Sequence, residues 1–214
     1  MQPSSQTILQ QNDDTGNIVI RPGRPQDAAD FSRLVMYTAP EYYNILFGPD
    51  PLPILQDLFR HPNNLFSYQH TYFMECDGEV AGMTLFYDHS AKERGLIPFL
   101  ILLAKNLKWH TIKKLFFLIK MAPVFARIKK TDMYSSNSAL YPKFRARGLG
   151  AKLFSISENQ ARVRGLKRVV VNVKNVNTPA ISLRRKLGFE IERKLPTIKC
   201  GSNSFEYLQM VKYL

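Results

Sequence analysis

The run Ser138-Ala-Leu-Tyr-Pro-Lys-Phe-Arg-Ala-Arg-Gly-Leu-Gly-Ala-Lys-Leu-Phe154 holds the residues best suited to chemistry. It reads as a strand, a proline-marked turn, a glycine-bearing loop and the start of a helix. Such a junction gathers unpaired backbone N–H groups and the positive end of a helix at one place, which suits a phosphate. Gly148 and Gly150 allow close backbone approach where a side chain would block it, and Lys143, Arg145 and Arg147 add positive charge. The spacing is neither the GxGxxG of a dinucleotide site nor the GxxxxGK[ST] of a Walker loop. A plain strand-to-helix turn stays open on spacing alone.

A second block lies downstream: the β-branched run ending in Val173, then Asn177-x-x-Ala180-x-x-Leu183-Arg184-x-x-x-Gly188-Phe189. Together the two blocks resemble the GNAT superfamily of N-acetyltransferases, the first its Arg/Gln-x-x-Gly-x-Gly/Ala loop and the second its N-x-x-A-x-x-L-Y-x-x-x-G-F helix. The resemblance implies that amides around Arg145, Ala146, Arg147, Gly148, Leu149 and Gly150 hold the pyrophosphate of acetyl-CoA, and that Ala139 and Leu140 offer strand-edge backbone to its pantetheine arm. Asn177 would contact the cofactor or fix the splayed strand. Direct attack of an acceptor amine on the thioester is implied as well, needing a deprotonated amine, a stabilised oxyanion and protonation of the leaving thiolate. One position departs: Arg184 stands where the family often has a proton-donating tyrosine. Arginine stays charged and donates protons poorly, but it can stabilise a thiolate or bind a CoA phosphate. Tyr134, Ser136, Asn137 and Tyr141 are the remaining candidates for proton transfer, though a surface or packed strand residue is the leading explanation of each.

These residues need a scaffold. Ile18 to Arg21 reads as a strand, 26–37 as a helix, 40–60 as a further helical piece, and 70–76 with 80–87 as a hairpin closed by Asp77-Gly78. Strands are expected at 133–140, 168–173, 189–194 and 205–213, and helices at 148–164 and 179–187. The last of these has Asn177 or Thr178 as cap, Pro179 in its first turn and Gly188 past its end. Alternation of this kind predicts an α/β (α+β) fold. By resemblance the sheet is mixed, mostly antiparallel and flanked by helices, with a helical insertion between the third and fourth strands. Residues 1–16 read as a flexible tail and 17–214 as a single domain, with two helices in 95–128 interrupted near Pro98 and Pro123.

Charge and composition narrow the partners. The net charge of +13 favours anions in general. Residues 91–130 hold ten Lys or Arg against Glu93 alone, or +9, so most of that charge sits in the insertion. By resemblance the insertion would lie beside the acceptor side of the cleft, where it fits a substrate lid, a homodimer contact, an anionic membrane contact or a packed helical pair with a lysine face. Lysines interrupt every apolar run before a transmembrane length is reached, and no nucleic-acid motif accompanies the basic patches. Cys76 and Cys200 form no CxxC pair and the four histidines show no ligand spacing, so neither disulfide framework nor metal site is indicated. The polar N-terminus lacks a secretory pattern, and a cytoplasmic location fits. Glu41-Tyr42-Tyr43 falls where acceptor-binding residues lie in the family, and helix-end packing explains it equally. Three readings follow: an enzyme acetylating a primary amine of a small molecule or protein with acetyl-CoA, a catalytically weak CoA-binding module, and a basic protein holding anionic surfaces.

Overall fold

The computed structural model describes residues 9–13, 16–106, 128–200 and 203–214. Its strands are β1 (Leu9–Asp13), β2 (Gly16–Pro22), β3 (Thr71–Cys76), β4 (Glu79–Asp88), β5 (Asp132–Leu140), β6 (Arg168–Lys174), β7 (Glu190–Lys194), β8 (Ile198–Cys200), β9 (Asn203–Phe205) and β10 (Tyr207–Tyr213). The helices are α1 (Ala28–Thr38), α2 (Pro40–Phe47), α3 (Leu52–Arg60), α4 (His89–Asn106), α5 (Leu149–Val163) and α6 (Thr178–Lys186). Eight strands form one sheet in the order β1-β2-β3-β4-β5-β6-β10-β7, and β8 pairs with β9 in a separate two-stranded ribbon. Every neighbouring pair in the sheet is antiparallel except β5 with β6. The expected mixed, mostly antiparallel sheet flanked by helices is what forms.

Successive strand residues point to opposite faces, and the sequence exploits this. On one face Phe73, Met83, Leu85 and Val170 pack with α1 to α4 through Phe31, Leu34, Tyr43, Leu58, Phe59 and Phe99. On the other, Met74, Phe86, Val169 and Val171 pack with α5 and α6 through Leu149, Leu153, Ile156 and Ile181. The Asp77-Gly78 hairpin forms with both residues at positive φ, 52° and 82°, the twist-matched geometry of a two-residue turn.

Two sequence expectations need correction. The stretch read as a tail over 1–16 contributes β1, whose five residues pair antiparallel with β2 from Leu9↔Ile20 to Asp13↔Gly16. A backbone ladder forms there despite a composition poor in β-branched residues, so hydrophobic pattern gave no signal. Helix α4 runs unbroken through Pro98 and begins at His89. Its buried Ala91, Gly95, Phe99 and Leu103 repeat at i+4 and pack into the core with α3, and this tertiary contact outweighs the ladder bond that Pro98 removes. Pro123 lies outside the described residues.

The junction of β5 and β6 opens with a buried ion pair. Arg168 Nε and Nη2 donate to Asp132 Oδ1 and Oδ2 at 2.8 and 2.9 Å, and Arg168 Nη1 donates to Glu192 at 2.8 Å. These two residues are also the first parallel pair in register. Asp132→Ala is expected to lower stability by about 3 kcal/mol, because it leaves a buried guanidinium short of its main partner. Denaturant unfolding measures this, and adding Arg168→Met to the same chain should recover much of the loss.

Candidate active site

The loop before α5 is shaped by two left-handed residues. Ala146 has φ 60° and Gly148 φ 73°, with Gly148 at the N-cap position of a 15-residue helix. Alternation of this sort makes a concave nest of backbone donors at a helix N-terminus, an anion-binding arrangement. Arg145, Ala146, Arg147 and Gly148 are exposed, Leu149 is buried beneath them, and Gly150 is half-buried. A methyl group at Gly150 would stand 3.1 Å from Leu183 Cδ2, so the absent side chain lets α5 and α6 approach. Arg145 is held by a hydrogen bond from Nε to the Leu140 carbonyl at 3.2 Å and by stacking on Tyr37. Lys143 pairs with Glu79, and Arg147 lies over Phe144.

Beside the loop the sheet opens. Parallel pairing of β5 with β6 runs from Asp132↔Arg168 to Ser135↔Val171 and stops, although β5 continues to pair with β4 as far as Leu140. Residues 136–140 therefore have no partner strand on the β6 side among the described residues, and Ala139 and Leu140 sit on that open edge. Ser136 is the extra residue of a β-bulge, since Leu85 pairs with Asn137 and Phe86 with Ser135. Bulges re-aim strands next to functional sites. Gly82 of β4 permits the close approach: a methyl there would lie 2.5 Å from the Ala139 carbonyl oxygen.

The proton-transfer candidates are distributed unevenly. Asn137 is buried and donates through Nδ2 to Thr38 Oγ1 at 2.7 Å and to the Tyr43 hydroxyl at 2.9 Å, tying α1 and α2 to the open strand. Ser136 Oγ donates to Asn137 Oδ1 at 2.9 Å. Tyr134 is buried, with its hydroxyl accepting from Asn172 Nδ2 at 3.2 Å. Tyr141 turns toward α1 and donates to Asp30 at 2.6 Å. Burial raises the pKa of Tyr134 and, with the Asp30 contact, of Tyr141, so both phenols are neutral donors at physiological pH. Asn177 accepts from the Ala180 amide at 3.2 Å and caps α6.

Sequence reasoning did not assemble the cleft on the opposite face of the sheet. A cavity of about 390 Å³ is lined by Glu41 from α2, Lys174 and Asn175 at the end of β6, and Asn203, Phe205 and Glu206 around β9. Lys174 donates to Glu41 at 2.6 Å, and Lys194 pairs with Glu206 at 2.9 Å. Helix α2 thus bridges the opening, contacting β6 through Glu41 and β5 through Tyr43. Only Glu41 carried a signal in the sequence; the β9 residues match no motif.

A family model, the acetyltransferase (GNAT) family, matches residues 35–189. The chain belongs to this family of acyltransferases, whose co-substrate is acetyl-CoA. No curated protein matches the sequence. Among solved structures, an N-acetyltransferase from Staphylococcus aureus Mu50 superposes with TM-score 0.65 at 18% identity, covering 90% of this chain and 98% of that one. Ard1 from Thermoplasma volcanium gives 0.59 at 18%, covering 92% and 97%. A Bacillus subtilis acetyltransferase in complex with CoA gives 0.51 at 11%, covering 98% and 99%.

Arg184 is the anomaly of this site. It is 9% exposed, its Nη1 donates to the Ala180 carbonyl at 3.1 Å, and its guanidinium lies 4.9 Å from the Phe154 ring centroid. Its Nε is the one buried side-chain polar atom without a partner among the described residues, and no carboxylate there pairs with it. Burial alone draws its pKa down to about 10. A cation held this way costs stability until an anion arrives. Arg184→Met is therefore expected to stabilise the ligand-free protein by about 1–3 kcal/mol at neutral pH. Because the folded pKa lies below the unfolded one, the wild-type deficit is full below about pH 10 and shrinks as pH rises through it. Denaturant melts of both proteins at pH 7 and above pH 10 check the sign.

Proposed function

We propose that the protein transfers the acetyl group of acetyl-CoA to a primary amine of a small molecule or protein by direct attack, with no acyl-enzyme stage. The observation that carries this reading is the coincidence of two features: a parallel strand pair that opens after Ser135 and Val171, and a left-handed loop with a helix N-terminus placed beside the opening. The residues fit the co-substrate. The amides around 145–150 suit its pyrophosphate, the free edge at 136–140 offers hydrogen bonds to the amides of its pantetheine arm, and Arg184, its Nε without a partner and no carboxylate beside it among the described residues, calls for negative charge.

Acetyl-CoA supplies the acyl group already activated as a thioester. The acceptor amine enters from the cleft between α2 and β9, lined by the Glu41–Lys174 and Glu206–Lys194 ion pairs, and loses its proton to solvent before or during attack. The new C–N bond forms as the C–S bond breaks, with the electron pair departing on sulfur. Tyr141 already gives its O–H to Asp30, and Tyr134 is buried with its hydroxyl accepting from Asn172. Arg184 is the buried cation available to neutralise the thiolate electrostatically, without donating a proton.

Two measurements test the reading. In calorimetric titration, Gly148→Trp should weaken acetyl-CoA binding by tenfold or more, since a side chain at φ 73° both strains the backbone by about 1–2 kcal/mol and fills the nest. Undiminished binding would remove the loop from the cofactor site. In a thiol-release assay over an amine panel, Arg184→Met should lower kcat by about 10²-fold, the usual loss for one electrostatic group facing developing charge, with KM for the amine little changed. An unaltered kcat would exclude Arg184 from leaving-group stabilisation.

A further inference from the structure

On the α2 side of the sheet the side chains change character where the strands part. Val170 of β6 and Val211 of β10 pair directly and are buried in the core cluster on that face. Alternate residues share a face, so the next cross-strand pair there is Asn172 with Gln209, and Gln209 pairs in turn with Arg193 of β7. Asn172 is the first β6 residue beyond Ser135↔Val171, the last parallel pair. Buried amides cost stability unless they are bonded, and these are bonded in a chain. Arg193 Nε donates to Gln209 Oε1 at 2.9 Å, Gln209 Nε2 to Asn172 Oδ1 at 3.3 Å, and Asn172 Nδ2 to the Tyr134 hydroxyl oxygen at 3.2 Å.

The chain can run in only one direction. A guanidinium accepts no hydrogen bond, so Arg193 turns the Gln209 oxygen toward itself and the Gln209 nitrogen toward Asn172, which sets the Asn172 amide the same way. At the far end the Tyr134 oxygen accepts, and its own O–H must point elsewhere. Among the described residues nothing takes that proton. The ring is held beside Tyr87, with centroids 5.6 Å apart. It starts on β5 one residue before the last parallel pair and its hydroxyl reaches Asn172 one residue past it, so the O–H stands at the base of the opening between β5 and β6.

Resting on the acetyltransferase reading of this site, we propose that Tyr134 is a catalytic residue whose O–H donates to the thioester carbonyl oxygen as it becomes an oxyanion, and that Arg193, Gln209 and Asn172 are positioning residues that aim it. As the amine nitrogen bonds to the carbonyl carbon, the C=O π pair moves onto oxygen. The Tyr134 hydrogen bond strengthens with that charge, and the proton stays on the phenol. Collapse of the oxyanion then expels sulfur with the C–S electron pair. Burial keeps the phenol neutral, as suits a group that lends a hydrogen bond without giving up its proton, and the cation at the head of the chain polarises each amide toward Tyr134. Arg184 lies on the other side of the sheet, over Phe154 of α5. The two groups divide the thioester between them, sulfur toward α6 and carbonyl oxygen toward α2.

Steady-state thiol release with the amine that wild type acetylates fastest tests the proposal. Tyr134→Phe should lower kcat by about 10²-fold, the usual loss for one oxyanion donor, with acetyl-CoA binding by calorimetry unchanged. Gln209→Leu, two bonds removed from the hydroxyl, should lower kcat by about tenfold, because it frees the Asn172 amide to turn over and capture the O–H. Added to Tyr134→Phe, the same Gln209→Leu change should cost nothing more, since the proton it misdirects is already gone. A Gln209→Leu loss that persists in full in that background marks a merely structural chain and overturns the proposal. So does an unaltered kcat in a Tyr134→Phe variant that binds acetyl-CoA, with wild-type turnover leaving the acetyltransferase reading intact. A folded wild type that turns over no acetyl-CoA removes that reading and this proposal together.

Discussion

The structure turns on a parallel strand pair that is deliberately short. β5 and β6 share four residue pairs, pinned at their start by the buried Asp132–Arg168 ion pair, and then separate. Parallel strands are normally buried along their length because their unpaired edges cannot be left in a core. Here the edge at 136–140 is kept open by holding its flanks from outside: Asn137 is fixed by Thr38 and Tyr43, the Ser136 bulge re-aims the strand, and Gly82 lets β4 stay close. The helices on both faces are arranged around that opening, α5 and α6 on one side and α2 on the other.

On the proposed reading, Arg184 shows the other half of the design, in which stability is given up for function. A guanidinium buried on Phe154 with an orphaned Nε is a poor way to fill a gap between two helices. Methionine would pack there without the desolvation penalty. Such a residue makes sense where the missing partner is part of the reaction, and a cation that is already dehydrated interacts with developing negative charge more strongly than one that must first shed water. Tuning by burial rather than by a carboxylate neighbour keeps the charge available instead of neutralised in advance.

Much of this was legible in the sequence where local rules and function coincide. The loop at 145–150 announces itself through glycines between basic residues, Asn177 and Pro179 through helix-capping chemistry, and the Asp77-Gly78 hairpin through the demands of positive φ. What was not legible depends on contacts between distant segments. β1 pairs through its backbone and lacks β-forming composition. Pro98 reads as a break until the row from Ala91 to Leu103 is seen packed against α3. The cleft of Glu41, Lys174 and Glu206 joins residues separated by more than a hundred positions. The buried place of Tyr134 beside Asn172 and the bond from Tyr141 to Asp30 likewise join residues far apart in the chain.

The sheet also separates two uses of positive charge. On the proposed reading the nest at 145–150 meets a phosphate with oriented amides and a few nearby guanidinium groups, a short-range device set by backbone geometry. Most of the net charge in 91–130 is a property of the sequence, and among the described residues Lys92, Arg94 and Lys105 carry part of it on α4. Salt screens exposed charges beyond roughly 10 Å at ordinary ionic strength, so the exposed cations of α4 contribute little to the nest across the thickness of a sheet and its helices. On the proposed reading, substitutions around Gly148 change what the protein binds without touching α4, whose Phe99 and Leu103 pack on the other face of the sheet.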